Sequence, residues 1–298
     1  QRRLASSTYA LLRSLERRKK RLEELLEGEP APPDEITVMT DFDAVEDMSE
    51  EERWQQEEKW ERLSMAETKE ELEKEIETLN VLLIKAQLII QKEQELKIRE
   101  LKETLAELRS KFPAEPDKKV LIFTESRDTL DFLEKKITEW GYSVNTIHGG
   151  MRLEERIQAE KIFKNETQVL VATEAAGEGI NLQFCHLMIN YDIPWNPNRL
   201  EQRMGRIHRY GQQKEVFVFN LVSEDTREGK VFKRLFDKLE EIRTALGSDK
   251  VFDCLGEIFG DKNLAQLLIE AAASARDMDE ILATFNLPVD EDYIKKVK

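Results

Sequence analysis

The sequence predicts an α/β fold: a mainly parallel sheet, preceded by a long helical region and followed by a small helical extension. Three observations lead there. Between residues 118 and 246, short apolar runs alternate with amphipathic stretches of helical length, and that alternation puts helices on both faces of a parallel sheet. Before residue 118, apolar residues recur at steps of three and four, the helical period. Charged residues make up 36% of the chain, which points to long solvated helices.

The first 117 residues read as a helical protrusion or insertion. Leu11, Leu12, Leu15, Leu22, Leu25 and Leu26 recur at helical spacing, and Arg17-Arg18-Lys19-Lys20-Arg21 lies among them. Leucines interleave with that basic run and glutamates follow it, so a solvated helix face is its first reading and contact with phosphates its second. Residues 28–49 hold Pro30, Pro32 and Pro33, then many carboxylates, and read as a loop. Leu72, Ile76, Leu79, Leu83, Ala86 and Ile90 then follow alternating steps of four and three, as do Leu101, Leu105, Leu108 and Phe112, a coiled-coil type of spacing. The repeat breaks between Ile90 and Leu101, which argues against one uninterrupted two-stranded coiled coil. The expectation is a helix from about Ser64 to Lys111, roughly 70 Å at 1.5 Å per residue, folded back on the N-terminal helix. Pro113 and Pro116 end it. The apolar stretch 81–90 is too short to span a bilayer and contains Lys85 and Gln87.

Within residues 118–246 the expected order is strand 119–124, helix 127–140, strand 143–147, helix 152–164, strand 168–172, strand 186–191, helix 198–209 and strand 215–221. Ser223-Glu224-Asp225-Thr226 reads as a helix cap, and Val231, Phe232, Leu235, Phe236 and Leu239 form the apolar stripe of a helix over 226–246. Residues 247–298 read as a helical brace. Their apolar residues, among them Leu255, Ile258, Leu267, Leu268 and Ile281, fit a core better than a binding site.

The net charge of −15 is unevenly spread: about +4 over residues 1–27, about −14 over 28–117, about zero over 118–250 and about −5 over 251–298. An anion could bind the neutral stretch, with the acidic segment pointing away from it. Cys185 and Cys254 are isolated, which suggests buried thiols in a reducing compartment, with no disulfide framework and no metal site. His148, His186 and His208 are scattered, so packed or surface roles suit them better than ligation.

The chemistry concentrates in two runs. Arg203, Arg206 and Arg209 stand at three-residue intervals on one predicted helix. A guanidinium is permanently charged and offers a planar fork of donors that fits phosphate oxygens, although a solvated basic face accounts for the spacing alone equally well. Upstream, an apolar strand breaks at Thr173 into a loop holding Gly177-Glu178-Gly179. In open α/β sheets, loops at the carboxyl ends of strands are where ligands sit.

Together these runs resemble the second RecA-like lobe of a superfamily-two helicase or translocase. Val120-Leu121-Ile122-Phe123-Thr124 resembles motif IV, and His148-Gly149-Gly150 with Arg156 resembles the stretch after the next strand. Residues 173–181 resemble motif V, and residues 202–209 motif VI. The Trp195-Asn196-Pro197 turn and the closing Tyr210-Gly211-Gln212 are nearest to the Swi/Snf-related branch, whose members carry helical insertions between their lobes.

The resemblance implies that Arg206 and Arg209 are arginine fingers for the γ-phosphate of ATP. Gln202 and Arg203 would hold that motif in register, with Gly177, Gly179 and Asn181 near nucleotide or strand. Asn181 stands where DEAD-box relatives place a ribose-binding aspartate. Ser126, Gly149, Gly150 and Thr173, with Arg127 and Arg156 as helpers, would contact the backbone of the tracked strand. The chain contains no G-x-x-x-x-G-K-[ST] run, so the expectation is a piece of a longer enzyme. ATP and the Mg²⁺ ligands would then be held by a separate N-terminal lobe, and the isolated piece would not hydrolyse ATP. The implied substrate track is double-stranded DNA, in a cytoplasmic nucleoid or a nucleus. The helical region could recruit a protein partner. A non-enzymatic scaffold and an RNA helicase remain the alternatives.

Overall fold

Val120-Leu121-Ile122-Phe123 forms β1 (Val120–Phe123), buried along its whole length, as an unbroken apolar strand in a parallel sheet must be. The computed structural model describes residues 6–27, 48, 50–62, 68–92, 95–111, 119–174, 180–194, 197–208, 211–223, 226–246 and 277–283. With β2 (Val144–Ile147), β3 (Val169–Ala172), β4 (Leu187–Asn190) and β5 (Phe217–Asn220), β1 builds a five-stranded sheet of order β2-β3-β1-β4-β5. Every neighbouring pair is parallel. This is the α/β fold with a parallel sheet that the sequence predicts.

Helices in chain order are α1 (Thr8–Leu26), α2 (Glu50–Arg62), α3 (Lys69–Gln91), α4 (Leu96–Lys111), α5 (Arg127–Glu139), α6 (Leu153–Asn165), α7 (Pro197–Ile207), α8 (Arg227–Leu246) and α9 (Met278–Ala283). The chain divides into two compact units, residues 1–192 with 206–221, and residues 193–205 with 222–298.

In the first unit, successive strand residues serve opposite faces of the sheet. Val120, Ile122, Val169, Val171, Leu187 and Ile189 form one cluster with Leu130, Leu133 and Ile137 of α5. Leu121, Phe123, Leu170, Ala172 and Met188 form another with Ala159 and Phe163 of α6. Ile98, Leu101, Leu105 and Leu108 of α4 join the first cluster, so half of the heptad-like spacing is spent on the sheet. An apolar stripe records that a helix face is covered, and leaves open what covers it. The boundary the sequence places at 117/118 thus falls between two elements that share one cluster.

The expected 70 Å helix is two helices. α3 ends at Gln91, where the Lys92 N–H closes on the Leu88 carbonyl at 3.1 Å, and α4 starts at Leu96. Their 23 and 16 residues reach about 35 and about 24 Å. The break has a cause: α3 packs on α1 through Leu83 and Ala86 against Leu12, whereas α4 packs on the sheet. The fold-back onto the N-terminal helix is as expected. Val81, Leu82, Ile84, Leu88 and Ile89 are exposed. The basic run of α1 is taken up by carboxylates: Arg17 pairs with Asp128, Arg18 with Glu75, Lys19 with Glu23, and Arg21 with Glu24.

In the second unit, Val231, Phe232, Leu235 and Leu239 are the buried stripe of α8, and α9 packs against that helix. Thr226 caps α8, its hydroxyl accepting from the Gly229 N–H at 2.9 Å. The rest of the expected C-terminal brace, with Cys254, lies outside the described residues. Among the described residues no helix is long and apolar enough to cross a membrane.

Candidate nucleic-acid interface

The register pairs Ile147 with Ala172 and Ala172 with Phe123, so the chain leaves β1, β2 and β3 side by side at the carboxyl end of the sheet. The Thr173 N–H donates to the Ile147 carbonyl and the Thr124 N–H to the Ala172 carbonyl, each at 3.0 Å. This end collects Ser126, Arg127, Gly149, Gly150, Arg156 and Thr173.

Two donors converge there on one anionic atom. The Thr173 hydroxyl donates to Glu50 Oε1 at 2.6 Å, and the Gly149 N–H donates to the same oxygen at 3.1 Å. Glu50 opens α2 and is buried, as are Thr173 and Gly149. A Cβ at position 149 would stand 3.1 Å from Glu50 Cδ and Oε1, so glycine is what lets the carboxylate approach. One turn on, Arg53 is 4% exposed and donates to Glu125 Oε2 at 2.9 Å. Burial works to lower the Arg53 pKa, and Glu125 and Glu174 more than offset it. The acidic segment was expected to point away from this surface, and instead one of its glutamates sits on it. Donors at strand ends attract an anion, and a carboxylate of the same chain supplies one.

The remaining residues brace this pair. Arg156 Nη2 donates to the Gly149 carbonyl at 3.1 Å and its Nε to the Met151 carbonyl at 3.0 Å, holding the turn that presents the Gly149 N–H. Ser126 caps α5, accepting from the Thr129 N–H at 3.4 Å. Arg127 is exposed, with Nη1 3.0 Å from His148 Nδ1. A guanidinium can only donate, so Nδ1 accepts and the imidazole carries its proton on Nε2. Burial, with the cations of Arg127 and Arg156, holds the His148 pKa down to about 4. Exposed Gly150 would bring a Cβ within 3.4 Å of Arg127 Nη1.

A second polar cluster lies at the ends of β1 and β4, and sequence reasoning missed it. Asp192 Oδ2 accepts from Thr124 Oγ1 and Ser6 Oγ, both at 2.6 Å, and from the Glu125 N–H at 3.1 Å. Lys97 Nζ pairs with Asp192 Oδ1 at 2.8 Å and lies 4.5 Å from the centre of the Tyr191 ring. The Tyr191 hydroxyl donates to Glu95 Oε1 at 3.1 Å. Burial pushes the Glu95 carboxyl above its ordinary range and the Tyr191 phenol well above its own. Asp192 follows a strand at the ligand-bearing end, and that placement is the signal that could have found it.

In the glycine loop and arginine helix, Gly177, Gly179 and Arg209 lie outside the described residues. Asn181 is exposed and closes its own turn, its Oδ1 accepting from the Gln183 N–H at 3.0 Å. Gln202 is exposed, Arg203 is buried at 1%, and Arg206 is partly exposed. Gln212 Nε2 reaches the carbonyls of Gln183, Cys185 and Ile207 at 2.9, 3.2 and 3.0 Å, tying the last residue of α7 to the loop before β4. Gly211 next to it has φ +97°, a left-handed conformation that favours glycine. Cys185 is a buried thiol, pushed up to about 12 by that burial.

Residues 96–211 match the model of the helicase conserved C-terminal domain. The chain is 46% identical over 131 residues to an uncharacterized ATP-dependent helicase, YqhH, of Bacillus subtilis, covering 44% of this chain and 24% of that protein. It is 32% identical over 188 residues to the ATP-dependent DNA helicase DDM1 of Arabidopsis thaliana, covering 57% and 25%. The matches thus span about a quarter of the length of these relatives. Among solved structures, the C-terminal part of the Fun30 ATPase domain is similar with TM-score 0.44 and 24% identity, covering 77% of this chain and 72% of that one.

Proposed function

We propose that this chain, whose residues 96–211 match the helicase conserved C-terminal domain, carries the second lobe of a superfamily-two helicase related to the Swi/Snf group and is the C-terminal part of an ATP-dependent translocase on double-stranded DNA. The observation that carries the reading is the convergence of the Thr173 hydroxyl and the Gly149 N–H on a single anionic oxygen. Two fixed donors at the carboxyl ends of adjacent parallel strands suit one backbone phosphate of a tracked strand. Contacts of that kind position a strand without reading its sequence. Exposed Arg127 adds a cation beside them.

ATP with Mg²⁺ would supply the phosphoryl group transferred to water. The residues present fit the supporting half of that reaction. Arg206, on the last turn of α7 and partly exposed, offers a permanent positive charge, with Arg209 as its companion. Phosphoryl transfer needs positioning and charge neutralisation, and an arginine so used is worth about a thousandfold or more in rate. A separate ATP-holding lobe provides the triphosphate cradle and the metal ligands. Alternating closure of the two lobes would then move the strand held at Thr173 and Gly149. The exposed apolar residues of α3 favour a second role for the helical region, docking a protein partner.

The test is ATP hydrolysis by the complete enzyme with duplex DNA or RNA added, with and without Thr173→Ala. Duplex DNA should stimulate more than RNA, and the alanine should reduce that stimulation. Stronger stimulation by RNA would favour an RNA helicase, and stimulation untouched by Thr173→Ala would remove the strand contact from the account.

A further inference from the structure

We propose that Glu50 is a built-in occupant of the nucleic-acid site, and that α2 has to leave before a strand can dock. The proposal rests on the reading of Thr173 and Gly149 as strand contacts. Glu50 Oε1 takes both donors, at 2.6 and 3.1 Å. A phosphate oxygen placed to accept from the same two groups would fall on the carboxylate itself. Both are anions, so they exclude one another by charge as well as by volume.

How α2 is attached favours an exchangeable element. Among its described side chains the buried ones are Glu50 and Arg53, both charged, and these two hold it to the strand ends by ionic and hydrogen-bonded contacts. Such contacts can be taken over by another anion, whereas a packed apolar face cannot. Arg53 grips Glu125 at 2.9 Å, next to Ser126 and Arg127, so α2 spans the loops after β1, β2 and β3 together. The helix also holds six glutamates against three basic residues. Docked, it lends negative charge to the surface a DNA strand would approach, and once displaced it is repelled by the strand that replaces it.

An element docked about 90% of the time weakens apparent affinity about tenfold, because only the undocked fraction is competent to bind. The experiment titrates a fluorescent DNA duplex with the chain, unaltered and as Glu50→Ala, Glu52→Ala and Thr173→Ala, alone and with Glu50→Ala. Glu50→Ala should bind about tenfold more tightly. Glu52→Ala, which removes an exposed charge from the same helix, should stay within about twofold. Equal tightening by both would reduce the effect to general electrostatics and overturn the proposal.

Unchanged affinity in Glu50→Ala, while Thr173→Ala still weakens binding, would overturn the occupant and leave the strand site standing. Binding insensitive to Thr173→Ala in both backgrounds would overturn the site and the occupant together. Hydrogen exchange on the unaltered chain gives a readout independent of any variant's folding. Saturating duplex should deprotect the amides of α2 and protect those around Gly149, and α2 amides that stay protected in the complex would contradict the proposal.

Discussion

Thr173 and Glu50 are 123 positions apart, yet the Thr173 hydroxyl donates to the Glu50 carboxylate at 2.6 Å in a buried setting. One hydrogen bond thus joins the most acidic segment of the chain to the end of its most apolar strands. The same oxygen also receives the Gly149 N–H, so two donors at the strand ends share one carboxylate oxygen.

The Asp192 cluster should be the stability centre of the strand ends. Its carboxylate and Lys97 are largely buried, with side chains 7% and 14% exposed. Removing one partner of a buried pair leaves an uncompensated charge and costs about 3 kcal/mol or more. Asp192→Asn should therefore lower the unfolding free energy by about 3 kcal/mol in urea. A loss below about 0.5 kcal/mol would mean that the pair is solvated.

Leu101 tests whether α4 belongs to the lobe. It is fully buried in the cluster that covers one face of the sheet, so Leu101→Ala should cost about 3 kcal/mol and reduce the cooperativity of the whole unit. A surface-like change of about 0.5 kcal/mol would place α4 outside the core.

His148 should make the lobe acid-sensitive. Its pKa falls from 6.5 to about 4 in the fold, so between those values the unfolded chain takes up a proton that the folded chain refuses. The stability it confers is present above pH 6.5 and is lost as pH falls toward about 4. His148→Asn should flatten the melting temperature across that window. A slope equal to that of the unaltered chain would assign the sensitivity to other groups.

The lobe was legible because its signals are local. Buried parallel strands read as unbroken apolar runs, and Val120–Phe123, Val169–Ala172 and Leu187–Asn190 all stand where those runs predict. The helical region was legible as helix and illegible as packing. Leu101, Leu105 and Leu108 share the spacing of Leu79, Leu83 and Ala86, and nothing in that spacing says that the first set covers a sheet while Leu83 and Ala86 pack on another helix. That Thr173, Gly149 and Arg127 gather at the strand ends was legible because motif and strand end coincide. Glu50 and Asp192 were missed because their partners are long-range: Glu50 meets Gly149 and Thr173, and Asp192 meets Ser6 and Lys97. One more glutamate in an acidic stretch carries no mark of the donors it will meet.

In the function proposed here, this lobe lends an arginine to ATP hydrolysis by a second lobe and couples it to DNA. The most direct measurement is DNA-stimulated ATP turnover by the complete enzyme with Arg206→Ala, alongside its binding to duplex DNA. Turnover should fall about a thousandfold while DNA affinity stays within about threefold. Near-normal turnover in that variant would contradict that function.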